Sequence, residues 1–236
     1  MSCSYKTHIT VCTVVVNNPL YIKLQYSALK KYMKCSYEFI VFNDAKDFPD
    51  YSNNFCKNIK NEIQDICDIL NIKCINIPNN KHRTIQDKSV RTADSCNYIL
   101  DYQVSNPGKY LVLDSNIFLI RDFYGNEYDN YDCAVILKSE YFWYGMYYFD
   151  TRKMKDMQLL TWDCLSGYND AGGAMKYWLK NQDKSKIYLI KGFKRVDVFY
   201  KILDNKFFYF RDKGNWLFKK LFIKKLENKL CLKSNI

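Results

Sequence analysis

Residues 109–123 read KYLVLDSNIFLIRDF. Tyr110 to Leu113 are apolar, Asp114 ends the run, Ser115 and Asn116 follow, and Ile117 opens a second apolar run. A short apolar run bounded by turn-forming residues reads as a buried strand. The flanking sequence repeats the pattern. Residues 7–16 are rich in β-branched side chains and stop at Asn17-Asn18-Pro19. Residues 37–42 run into Asn43-Asp44, and 73–77 are stopped by Pro78. Between these lie segments of helical spacing: 21–33, then 55–70 with Ile59, Ile63, Ile66, Cys67 and Leu70 on one face, then 87–102. Strands alternating with helices predict an α/β domain, a parallel sheet flanked by helices.

The second half continues with strands expected at 132–137, 145–150, 186–190 and 206–211, and a helix over 170–180 that Asp170 would cap. The chain has 236 residues, enough for one sizeable core, with no internal repeat or linker. In open α/β sheets ligands bind beyond the carboxyl ends of the strands. Val14 and Asn17, Asp44 and Asp114 fall at such ends. Asn and Asp also favour turns for their own sake, so position alone leaves both readings open.

The segment YLVLDSN resembles the strand and Asp-x-Asp element of glycosyltransferases with the GT-A fold, with Asn116 in the place of the second Asp. Three later segments resemble the same family in order and spacing: WYGMYYFDTRKM at 143–154, YNDAGGAMKYWL at 168–179 and YFRDKGNW at 209–216. The resemblance, which runs over about residues 7–216, implies a Rossmann-like, mixed and mostly parallel sheet in one domain, 1–216; residues 217–236 read from their own pattern as a basic amphipathic C-terminal helix. It implies transfer of a sugar from a nucleotide-diphosphate donor to a hydroxyl on a glycan, glycolipid or protein. Val14, Asn17, Asp44, Lys88, Arg91, Asp114, Ser115, Asn116, Arg211 and Lys213 are then the expected donor contacts. Trp143, Tyr144, Gly172 and Gly173 are expected on the acceptor side, the glycines admitting a ligand close to backbone. Asp170 and Asp150 are the expected catalytic carboxylates, Asp170 as general base if the reaction inverts the anomeric centre.

Departure of a diphosphate builds negative charge, which Mn²⁺ or Mg²⁺ offsets. Asp114 and Asn116 are the expected ligands, since hard cations take oxygen donors. Asn116 carries no charge, and Tyr209 stands near the place of a metal-binding His in the family. Either the metal is weakly held, mostly by Asp114 and the donor phosphates, or cationic side chains do part of its work, with Lys81, His82, Arg83, Lys88 and Arg91 of NNKHRTIQDKSVR as candidates.

The net charge of +11 favours anionic partners. The segment WLFKKLFIKKLENKLCL, residues 216–232, reads as a basic amphipathic helix, either packed on the domain or lying on an anionic membrane. Ten cysteines without a C-x-x-C pair, and only two histidines, give no zinc spacing and point to a reducing, cytoplasmic setting, with membrane contact at most peripheral. A rival class is a basic, Tyr-rich domain that holds nucleic acid by stacking; the aromatics fall mostly inside apolar strands, which counts against it. A third keeps the fold as a sugar-nucleotide-binding protein of weak activity.

Overall fold

A computed structural model describes residues 7–48, 58–138, 141–165, 170–191, 194–195, 200–210 and 216–230. The first half alternates as expected: β1 (His8–Val15), α1 (Leu20–Tyr32), β2 (Ser36–Asn43), α2 (Ile59–Leu70), β3 (Lys73–Asn76), α3 (Lys88–Ser105) and β4 (Lys109–Asp114). A 3₁₀ turn, Asn80–Arg83, precedes α3, whose N-cap is Asp87, accepting from the Ser89 backbone N–H at 2.7 Å. Then follow β5 (Ile117–Leu119), β6 (Cys133–Lys138), β7 (Tyr141–Asp150), α4 (Met175–Lys180), β8 (Ile187–Leu189), β9 (Lys194–Arg195), β10 (Tyr200–Leu203), β11 (Phe207–Phe210) and α5 (Trp216–Leu230).

Seven strands form the main sheet in the order β3-β2-β1-β4-β7-β6-β8. All run parallel except β7, which is antiparallel to both neighbours. This is the mixed, mostly parallel sheet that the resemblance implied. Side chains alternate between its faces. In β1, Ile9, Val11 and Val15 join α1 and α2 in one core, whereas Cys12 meets α3 and α4 in the other. Both faces are thus buried, which accounts for the near-continuous apolar runs.

The chain runs outward from β1 to β3 with helices on one face, then returns to the other side of β1 with α3 on the opposite face. The winding therefore reverses between β1 and β4, where two neighbouring connections leave in opposite directions and open a crevice.

A second sheet, β5-β11-β10-β9, is antiparallel. It grows from the turn after β4, since β5 begins at Ile117 and pairs Tyr209 with Ile117. The C-terminal helix packs on it: Phe222 stacks on Phe210 at 4.1 Å between ring centroids and lies 5.6 Å from Phe118. Phe222, Leu226 and Leu230 are buried, while Lys220, Lys224, Lys225 and Lys229 are exposed. Of the apolar face that sequence offered equally to a membrane or to the domain, Phe222, Leu226 and Leu230 are covered by the domain, whereas Leu221 is 56% exposed. No described helix is long and apolar enough to cross a membrane.

Candidate functional site

A pocket of about 440 Å³ opens at the reversal between β1 and β4. That volume lies in the range of small-molecule sites. β1 contributes Val14 and the residues just beyond it, Val16, Asn17 and Asn18; β4 contributes Val112 to Asp114 and then Ser115 and Asn116. Asp44 follows β2, Thr92, Ser95 and Cys96 come from α3, and Tyr144 and Tyr147 come from β7. Val14 and Asp114 are register partners on adjacent parallel strands, so the ends of β1 and β4 arrive together.

The Asp-Ser-Asn segment is a turn as well as a lining. Asp114 Oδ1 accepts from the Ser115 N–H at 2.7 Å, and the Asn116 carbonyl accepts from the Phe210 N–H at 3.0 Å. Beneath it, Gln25 on α1 donates from Nε2 to the carbonyls of Asp114 at 3.0 Å and Ile117 at 2.9 Å. Gln25 is 2% exposed and clamps both ends of the turn. Sequence reasoning missed it, because a glutamine among apolar helix positions gives no signal of its target.

Burial pushes the Asp114 carboxyl up to about 6, against the opposing hydrogen bonds from Ser115. Asn116 Oδ1 is buried and has no hydrogen-bond partner among the described residues. A buried acceptor without a donor calls for a ligand or a water. These two oxygens suit a hard divalent ion that draws its remaining ligands from a bound phosphate or water. The described residues hold no group of three or more His, Cys, Asp or Glu side chains suited to a metal, so the chain by itself offers only a partial set.

Asp44 is held in a buried network. Its Oδ1 accepts from Asn79 at 2.8 Å and pairs with Lys46 at 2.5 Å, and its Oδ2 accepts from Ser95 at 2.7 Å. Cys96 lines the pocket next to Ser95; burial first, then the charges of Asp114, Asp44 and Asp170, push its thiol far up. Such a thiol is not a nucleophile.

Other expected residues fall elsewhere. Asp150 is corrected outright: because β7 runs antiparallel, its carboxyl end lies beside Lys109, at the start of β4. Five residues of strand separate that point from Asp114, about 17 Å. Asp150 is 1% exposed and pairs there with Arg152 at 3.1 Å. Arg91 is buried and donates from Nη1 to the Ile85 carbonyl at 2.6 Å, fastening the loop before α3. Lys88 is exposed at the first turn of α3, and neither residue lines the pocket. The basic segment is largely engaged with acids. Lys81 and His82 meet Asp94 at 2.5 and 2.6 Å, and Arg83 meets Asp47 at 2.7 Å. Desolvation works against the Asp94 charge, but Lys81 and His82 outweigh it and hold its carboxyl below the usual range.

Asp170 does not cap a helix, because α4 begins only at Met175. It accepts from Lys138 at 3.1 Å and from the Tyr141 hydroxyl at 3.3 Å, and it does not line the pocket. Gly172, at φ +95°, approaches protein rather than ligand: its N–H donates to the Trp162 carbonyl at 2.7 Å, and a Cβ there would lie 2.6 Å from the Phe142 carbonyl. Gly173 is buried beside it. Neither glycine lines the pocket. Tyr144 does, while the neighbouring Trp143 ring meets Tyr209 edge-on at 5.2 Å and covers Gly145. Arg211 and Lys213 lie outside the described residues.

No family model and no curated protein matches the chain. Among solved structures, it is similar to the bifunctional glycosyltransferase WbbM in its apo form, at 12% identity and TM-score 0.44, over 80% of this chain and 40% of that one. It is also similar to the galactosyltransferase LgtC in complex with donor and acceptor sugar analogues, at 11% identity and TM-score 0.45, over 76% of this chain and 72% of that one. The chain thus spans 40% of the length of WbbM. The α/β architecture itself is read from this chain's own strand order and register.

Proposed function

We propose that the chain is a glycosyltransferase that takes a sugar from a nucleotide-diphosphate donor and passes it to a hydroxyl acceptor. One observation carries the reading. The pocket at the reversal of the sheet gathers Val14, Asn17, Asp44, Asp114, Ser115, Asn116 and Tyr144 from segments far apart in sequence, with a carboxyl of raised pKa two residues from a buried oxygen that finds no donor among the described residues. A carboxylate and an amide oxygen at a strand end can hold a divalent ion where the negative charge of the leaving diphosphate develops.

In the proposed reaction the bond from the anomeric carbon to the diphosphate oxygen breaks, and the diphosphate leaves with the electron pair. The acceptor oxygen forms the new bond to that carbon and gives up its proton. Asn17 and Asp44 border the nucleoside end of the pocket. Asp114 and Asn116 face the diphosphate end, where a divalent ion would offset the charge of the leaving group. Tyr144 marks the acceptor side, with the buried Trp143 ring packed behind it. If the reaction inverts, Asp170, which stands outside the lining of this pocket and is held by Lys138 and Tyr141, is the carboxylate proposed to receive the acceptor proton once the acceptor is bound.

Thermal melting in a panel of nucleotide sugars, with and without Mn²⁺, tests the proposal. At a hundredfold excess over Kd a true donor stabilises by ~2.7 kcal/mol, about 5–10 °C for a chain of this size. Hydrolysis or transfer from the stabilising donor would establish activity. Stabilisation by single-stranded RNA alone would overturn the reading in favour of nucleic-acid binding, and donor binding without turnover would leave a binding protein.

A further inference from the structure

The described lining of the pocket contains two carboxylates, Asp44 and Asp114, and no lysine or arginine. The proposed donor brings a diphosphate. Lys46 is close by, but its ammonium is bound to Asp44 through both the carboxylate at 2.5 Å and the carbonyl at 2.8 Å. Lys81 and Arg83 are paired with Asp94 and Asp47.

One ammonium from a different part of the chain reaches the rim. Lys219, on α5, donates from Nζ to Asn18 Oδ1, and the same Nζ lies 5.3 Å from the centroid of the Tyr21 ring. Asn18 and Tyr21 both line the pocket. The helix that carries Lys219 is anchored: Phe222, three residues on and so on the same face, stacks on Phe210 at 4.1 Å and on Phe208 at 5.3 Å. Lys31 of α1 donates to the Lys229 carbonyl at 2.8 Å, fixing the far end. Phe210 in turn donates its N–H to Asn116. The anchor of α5 and the Asp-Ser-Asn turn are therefore joined through one strand.

We infer that Lys219 contacts the diphosphate of the donor, and that the C-terminal helix is a wall of the donor pocket. The inference rests on the nucleotide-sugar reading above. An ammonium has three donors on a flexible stem. With an anionic phosphate oxygen a lysine makes a charge-assisted hydrogen bond, stronger than the contacts to an amide oxygen and a phenol face that place Lys219 at this rim. Lys219 would turn from the Asn18 rim toward the ligand, adding positive charge where the lining is acidic.

Calorimetric titration of the full chain with uridine, cytidine, adenosine and guanosine diphosphates, and with the four nucleosides, tests this. For the diphosphate that binds most tightly, Lys219→Met should weaken affinity about tenfold and leave the matching nucleoside unchanged. Lys219→Arg should restore most of the loss, and Lys224→Met, an exposed lysine on the same helix, should match wild type. Lys219→Gln keeps a donor toward Asn18, so if Lys219→Met melts early this second variant reads the charge alone. Equal weakening of diphosphate and nucleoside, or no weakening of either, would overturn the role of Lys219 and leave the donor reading intact. A wild-type chain that binds none of the four diphosphates would instead remove the donor reading, and this inference with it.

Discussion

Asp114 is a carboxyl that costs stability where it stands. Burial raises its pKa to about 6, so the folded chain holds that proton more tightly than the unfolded chain does. As pH rises from about 4 to about 6, the unfolded state loses its proton first and stability falls; above about 6 the full cost is present. Asp114→Asn keeps the shape and removes the charge. The variant should melt a few degrees higher than wild type near pH 7.5, and the gap should close near pH 4. The same substitution should abolish Mn²⁺-supported donor binding, because the carboxylate is lost. In the wild type that binding should weaken about tenfold per unit as pH falls below about 6, where a cation must displace the proton. Melting curves and titrations across pH check both arms. A variant no more stable than wild type near pH 7.5 would show that Asp114 is well solvated and not poised for a cation. Asn116 adds a buried oxygen but no charge, which is why Asp114 dominates the pH response.

At the scale of elements, α5 is an integral piece of the core. Phe222 is 5% exposed and sits among Phe118, Phe208 and Phe210. Phe222→Ala removes a ring from a packed aromatic cluster, at a cost of ~3–5 kcal/mol, or roughly 6–20 °C in melting temperature. Lys224→Ala, on the exposed side, should change melting by less than a degree or so. A Phe222 variant as stable as wild type would return the apolar face to a membrane or another partner. The one-sided pattern of this helix was legible in the sequence; its target was not, because β5 has three residues, β9 has two, and the pairing of Ile117 with Tyr209 spans a long separation. The parallel half was legible because each unit ends in Asn, Asp or Pro. The start of α4 was misread: Gly172 in the left-handed region delays the helix to Met175, and spacing alone shows no positive φ. In the site, strand-end residues could be named because turns and ligands draw on the same side chains. Gln25 could not, since its partners are backbone carbonyls.

For the whole molecule, direction within the sheet sorts the carboxylates. Asp44 and Asp114 end parallel strands and reach the pocket. Asp150 also ends a strand, but β7 is the antiparallel one, and the same local sequence grammar delivers it to the opposite edge. There it does structural work. Its carboxylate pairs with Arg152 at 3.1 Å and Lys153 at 3.9 Å, and its backbone N–H donates to the Asp132 carbonyl at 2.9 Å. The two basic partners are partly exposed, with side chains 55% and 42% accessible, so Asp150→Ala leaves no buried charge stranded. Loss of the charged hydrogen bonds should cost ~1.5–3 kcal/mol, or roughly 3–12 °C in melting temperature. Donor affinity should stay within about twofold of wild type, because removal of a charge about 17 Å away across a packed sheet is screened. Measured side by side with Asp114→Asn near pH 7.5, the two substitutions should separate: one lowers melting and spares binding, the other raises melting and destroys metal-supported binding. If Asp150→Ala also abolished donor binding while the chain remained folded, the pocket between β1 and β4 would not be the donor site, and the chemistry would have to be sought at the other end of the sheet.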